Sequence, residues 1–172
     1  MKDFLDKVKD ITTIEEADNF LLSCLPSISD ATKKALELAK KAHAGQTRVS
    51  GLPYVIHPIL AASITAHISS DEIMVQAALL HDVVEDTLCE LKDIEEAFGK
   101  DIARLVEGLT KIVEIRGEEL APSNSDERLI KSALSFRKML IASISDVRVL
   151  VIKLCDRLHN MLTLDALPTQ KQ

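Results

Sequence analysis

The sequence predicts an all-α fold, and three observations carry that expectation. Five Gly and five Pro leave few breakers for the many turns an all-β chain of 172 residues needs. Hydrophobic residues make up 47% of the chain but aromatic residues only 3%, with no Trp. A core of Leu, Ile, Val and Ala suits packed helices better than a β-sandwich. Apolar residues also recur at helical spacing in segment after segment. The length fits one domain over residues 1–172, with enough apolar material for a core.

Thr12 and Thr13 each stand three residues before a Glu, namely Glu15 and Glu16, at capping-box spacing. Ile14, Ala17 and Leu21 then share a face, so the first helix is expected from there to about Leu22. Pro26 and Asp30 separate it from ATKKALELAKKAH, an amphipathic packing helix with an Ala35, Leu38, Ala39, Ala42 stripe. GQTRVSGLPYVIHP combines two Gly, two Pro and the lone Tyr and reads as a structured loop. Pro58 suits the first turn of the helix that follows, through about His67. Ser69 with Glu72 makes another capping box, opening a helix that carries HDVVED and ends near Asp86 or Thr87.

LKDIEEAF closes at Gly99, a C-cap, and KDIARLVEGLTKI places Ile102, Leu105, Val106 and Leu109 on one side of a further helix. Residues 116–125 are polar and Pro-containing and read as a loop; residues 126–144 return to helical periodicity. The segment DVRVLVIKLCDRLHNML is β-branched enough to pass for a strand, but its length and the lack of a partner strand favour a buried helix.

A net charge of −6 and a pI near 5.4 argue against a chain built to grip duplex nucleic acid. A phosphorylated ligand therefore needs a bound cation or a few placed Arg and Lys residues. Cys24, Cys89 and Cys155 are odd in number and form no CxxC pair, which points to a reducing cytoplasm and no thiolate metal site. No signal peptide or membrane-spanning run is evident.

HDVVED, at residues 81–86, sets a histidine and three carboxylates beside the apolar run Ala77 to Leu80. Such groups next to a buried face cost folding energy unless something occupies the space between them. On a helix His81 lies over Glu85 and Asp82 over Asp86, so both rows can flank one ion. Two ligands are too few, and His57 and Asp156 are candidates for the rest. Two nitrogens and two oxygens suit Mn²⁺, Fe²⁺ or Zn²⁺ better than Ca²⁺ or Mg²⁺.

HAGQTRVSGLPYVIHP from His43 to Pro58, then HDVVEDT, then KLCDRLHNM resemble, in order, the HD-superfamily hydrolase domain at the amino end of RelA/SpoT homologues. That resemblance implies an HD-domain helical bundle and a ppGpp/pppGpp 3′-pyrophosphohydrolase of the stringent response, releasing GDP or GTP and pyrophosphate. It implies that His57, His81, Asp82 and Asp156 hold one Mn²⁺, with Glu85 and Asp86 as the catalytic acid pair. Arg48, Ser50, Asn160 and Thr163 fall where the family contacts the guanosine nucleotide. The family commonly has Lys after that Arg, whereas this chain has Val49, so one cationic contact is missing.

His43 and His159 lie in the same motifs and are expected to orient ligands rather than bind metal. Asp156 has the alternative of pairing with Lys153 or Arg157, and His67 reads as surface or packing. Two other readings stand beside the hydrolase. One is a catalytically silent regulatory HD domain; the other is an HD phosphatase for another nucleotide such as NADPH. The stop at Gln172 resembles an excised hydrolase domain, so synthetase and regulatory domains are expected in the full-length chain.

Overall fold

The computed structural model describes residues 1–117, with side chains as far as Thr110, and residues 146–164. The described residues are helical, as expected, with a single isolated bridge between Thr47 and Pro53. In chain order the helices are α1 (Lys2–Asp10), α2 (Ile14–Cys24), α3 (Asp30–Ala42), α4 (Ile56–Ile68), α5 (Glu72–Leu80), α6 (Val83–Asp86), α7 (Leu91–Phe98), α8 (Lys100–Gly117) and α9 (Val147–Leu162). The loop expected at 116–125 is helical at its first two residues, and its remainder, with the helix expected at 126–144, lies outside the described residues.

The bundle is organised around α4, which packs against α2, α5 and α9. Every residue from Ile56 to Thr65 is buried, so this helix has no solvent face to mark it as amphipathic. Its two buried hydroxyls are satisfied within the helix: Ser63 donates to the Ile59 carbonyl and Thr65 to that of Ala61, each at 2.9 Å. The segment 147–162 is the buried helix expected, with Val149, Ile152 and Cys155 in the core.

Several boundaries follow from local chemistry. Thr13 and Glu16 form the capping box of α2, and Glu16 also accepts from the Thr12 backbone, which leaves Glu15 without that role. Gly99 ends α7 at φ +88°, a left-handed conformation that disfavours residues with a side chain, and its N–H caps the Glu95 carbonyl at 2.8 Å.

Three expectations are corrected. A helix precedes Thr12: α1 sets Phe4, Leu5 and Val8 at helical spacing but fully buries only Val8. Ser69 and Glu72 do not form a capping box, because Asp71 caps α5 by accepting from the Ile73 N–H at 2.9 Å. The Glu72 carboxylate instead ties α5 to α3, accepting from the Ser29 and Thr32 hydroxyls. Finally, the helix carrying HDVVED breaks at His81 and Asp82. The His81 ring takes up the Ala78 carbonyl, which a continuing helix would offer to the Asp82 N–H.

Asp146 starts α9 by accepting from the Arg148 N–H at 3.0 Å, and the Arg148 guanidinium bridges Asp146 to Asp101 of α8. Asp146→Ala is expected to cost about 1–2 kcal/mol in urea unfolding, chiefly the lost cap. Hydrogen bonds from Arg148 hold the Asp146 carboxyl below its ordinary 3.8, so the cap's contribution is present above that value. It fades as pH falls through the lowered folded-state value, and the gap between parent and variant should close with it.

Candidate metal centre and adjoining cavity

Three distant segments converge on one buried point. The loop before α4 delivers His57 in the first helical turn, where its N–H donates to the Tyr54 carbonyl at 2.9 Å. The break after α5 delivers His81 and Asp82, and α9, packed on α4 and α5, delivers Asp156. Their relative exposures are 3%, 1%, 7% and 5%.

One ligand atom from each of His57, His81 and Asp82 lies within 4.8 Å of the others. Asp156 enters the same space less tightly: its Oδ1 is 3.1 Å from His57 Nε2 and 3.8 Å from His81 Nε2. The orientation of each ring is fixed from behind. His81 Nδ1–H donates to the Ala78 carbonyl at 2.7 Å, which directs Nε2 at the carboxylates. His57 Nδ1 is hydrogen-bonded to His159 Nδ1 at 2.8 Å.

The electrostatics call for positive charge at this point. Burial works to raise the Asp82 and Asp156 carboxyls, but the two histidines outweigh it and hold both well below the usual range. Burial likewise disfavours a charged His81, yet Asp82 and Asp156 prevail and push it up to about 9. His81 Nε2 is buried without a hydrogen-bond partner, although Asp82 Oδ1 is only 3.1 Å away. Two imidazole nitrogens and two carboxylates facing one another, one nitrogen orphaned, are the donor set of a divalent cation, and the residues fit such an ion.

Burial, reinforced by His57 and Arg48, keeps His159 far below its ordinary range, so it stays neutral and can accept a hydrogen bond from the His57 Nδ1–H. That tautomer leaves the His57 Nε2 lone pair free for a cation.

Glu85 and Asp86 occupy α6, just beyond this point. Glu85 Oε1 is buried without a hydrogen-bond partner. Burial pushes its carboxyl up to about 7, with Asp82 adding to the shift and Lys153 opposing it. Asp86 Oδ2 accepts from the Tyr54 hydroxyl at 2.9 Å, and the same hydroxyl lies 2.8 Å from Asp82 Oδ2.

A cavity of about 620 Å³ opens on the other side of His57 and Asp156. Arg48, Ser50, Asn160 and Thr163 all line it, whereas His81, Asp82, Glu85 and Asp86 do not. Arg48 Nη2 donates to Asn160 Oδ1 at 2.6 Å, and Asn160 Nδ2 donates to Asp156 Oδ1 at 2.8 Å, a chain from the cavity wall to the buried cluster. The Thr163 hydroxyl is directed back at the carbonyls of His159 and Asn160. Val49 is 75% exposed at the cavity edge. Val8, Ile11, Leu52 and Leu60 supply an apolar part of the same lining.

Sequence assigns Tyr54 no role and Lys153 only that of an alternative partner for Asp156. Tyr54 was legible only as the lone Tyr of a loop. Lys153, 4% exposed, holds Asp156 Oδ2 at 3.0 Å, so Asp156 is buried among the candidate ligands and also paired with Lys153. A lysine inside the apolar run VLVIKLC was the available signal. His67 packs against Phe4 with ring centroids 4.0 Å apart.

A helical bundle with paired His and Asp residues at its centre defines a class, and comparison agrees: the chain belongs to the HD domain family, whose model matches residues 35–172. It is 43% identical over 143 residues to the GTP pyrophosphokinase of Myxococcus xanthus, and 42% identical over 140 residues to the bifunctional (p)ppGpp synthase/hydrolase SpoT of Escherichia coli (strain K12). Those matches cover 83% and 81% of this chain but only 18% and 19% of the relatives, so the chain spans about a fifth of their length. A solved structure described as a metazoan ortholog of SpoT that hydrolyzes ppGpp is 30% identical, with a TM-score of 0.62, covering 85% of this chain and 77% of that one. Among the described residues, no helix is long and apolar enough to cross a membrane.

Proposed function

We propose that this chain is a Mn²⁺-dependent hydrolase that removes the 3′-pyrophosphate of ppGpp and pppGpp, leaving GDP or GTP, in the stringent response of a cytoplasm. The observation that carries the reading is the meeting of His57, His81, Asp82 and Asp156 at one buried, cation-seeking point beside a cavity lined by Arg48, Ser50, Asn160 and Thr163. The named activities of the relatives support the substrate class.

His57, His81, Asp82 and Asp156 would hold the ion, which when bound supplies Lewis acidity and charge neutralisation at the phosphoryl group. Glu85, with one oxygen free of hydrogen bonds, takes the proton of the attacking water as that water's oxygen bonds to phosphorus. Asp86, held by Tyr54, orients the water, and the ribose 3′-oxygen leaves as its bond to phosphorus breaks, taking up the proton that Glu85 gained. Arg48 offers a planar cation to a purine face or a phosphate, and Asn160 a donor and an acceptor to a base edge or ribose. The apolar part of the lining suits the base. In the longer relatives such a domain is one part of a larger chain, and synthetase and regulatory domains are its expected partners.

Purified protein with Mn²⁺ is expected to release pyrophosphate from ppGpp and to lose that activity on chelation. NADPH and deoxynucleotides should be poor substrates in competition. Bound Mn²⁺ with no release from any nucleotide at high enzyme would indicate a silent regulatory domain.

A further inference from the structure

The Tyr54 hydroxyl carries one proton, yet it lies 2.8 Å from Asp82 Oδ2 and 2.9 Å from Asp86 Oδ2. We infer that Tyr54 is a positioning residue that yokes the ligand carboxylate of Asp82 to the water-orienting carboxylate of Asp86, setting the direction of both across the break between α5 and α6. The inference rests on the hydrolase reading and deepens it.

The yoke is needed because Asp82 lies in the break, as the N-cap of α6, while Asp86 ends that single helical turn. α6 is only four residues long, so its backbone holds the relative direction of the two side chains weakly. One hydrogen bond, from the Asp86 N–H to the Asp82 carbonyl at 2.9 Å, spans the backbone, and the phenol supplies the side-chain counterpart.

Tyr54 is itself rigidly held. Its N–H donates to the Gln46 carbonyl at 2.9 Å, its carbonyl accepts from the His57 N–H, and the His43 ring packs on it with centroids 4.9 Å apart. His43 Nδ1 and Gln46 Oε1 are 2.7 Å apart, which fixes the Gln46 amide so that Nε2 donates to the Asp86 carbonyl at 2.9 Å. The loop 45–55 thus grips α6 twice, through the Gln46 amide on its backbone and the Tyr54 hydroxyl on its side chain. The same loop carries His57 into the site, so one rigid piece aligns a ligand imidazole, a ligand carboxylate and the acid pair.

Tyr54→Phe tests this, because it keeps the half-buried ring and its packing on His43 and removes only the hydroxyl; its melting should stay close to the parent's. We expect Mn²⁺ affinity, read by electron paramagnetic resonance of the free ion, to weaken about tenfold, the usual scale for losing an outer partner of a metal ligand. For ppGpp, kcat should drop about tenfold while KM stays within twofold, since the hydroxyl is not placed to touch nucleotide. A folded Y54F protein with parental Mn²⁺ affinity and kcat overturns the inference, as does a loss carried wholly by KM. If the parent hydrolyses no ppGpp, the hydrolase reading falls, and the Mn²⁺ affinities alone decide whether Tyr54 aligns Asp82.

Discussion

His81→Ala should abolish tight Mn²⁺ binding and lower pyrophosphate release from ppGpp by about 10³-fold, the rate equivalent of several kcal/mol of lost Lewis-acid stabilisation. The imidazole is the most deeply buried of the four candidate ligands, and no hydrogen bond engages its Nε2. Alanine therefore removes a nitrogen donor and leaves Asp82 and Asp156 facing each other with one cationic neighbour fewer. Calorimetric titration with Mn²⁺ and a coupled pyrophosphate assay read the two effects. The pH dependence has a definite sign. Because Asp82 and Asp156 push the ring up to about 9 against the pull of burial, the ion must displace a proton from His81 at lower pH. Mn²⁺ affinity should accordingly weaken as pH falls below that value, and this dependence should shrink in the variant.

Glu85→Gln should cost about 10²–10⁴-fold in kcat, the range for losing a general base, with Mn²⁺ affinity and the KM for ppGpp nearly unchanged. The amide keeps the volume of the carboxyl in α6 but cannot accept a proton. Burial, aided by Asp82 and opposed by Lys153, sets the Glu85 carboxyl at about 7 in the ion-free protein, and a bound divalent charge lowers it. The reaction needs the ionised form. The rate in the parent should therefore climb with pH through a limb below neutrality and then level, and E85Q should lack that limb. An E85Q rate within threefold of the parent would move the base elsewhere, with Asp86 the next candidate.

Features set by neighbours in sequence could be read directly: the Thr13/Glu16 capping box, the left-handed Gly99 that ends α7, and the apolar stripes of α3 and α8. The features that escaped depend on contacts across the fold. Glu72 looks like a capping residue for Ser69, but the hydroxyls of Ser29, the N-cap of α3, and Thr32 in its first turn, forty or more residues earlier, claim it. The HDVVED helix breaks because of one side chain: spacing alone cannot reveal that His81 turns back onto the Ala78 carbonyl. Helix α1 carries only a short apolar stripe, Phe4, Leu5 and Val8, among charged residues, and its place as a wall of the cavity follows only from packing. The candidate ligands were legible as residue types in three motifs, but their convergence required α9 to lie across α4 and α5. Tyr54 shows the limit most clearly, since its two carboxylate partners lie 28 and 32 residues away.

The most direct test is anomalous diffraction from crystals of the Mn²⁺-loaded protein. A single peak coordinated by His57, His81, Asp82 and Asp156, with Glu85 and Asp86 outside the coordination shell, is the result predicted. A peak at a surface acid cluster such as Asp101 and Asp146, or an ion held by fewer than three of the four residues, would contradict it.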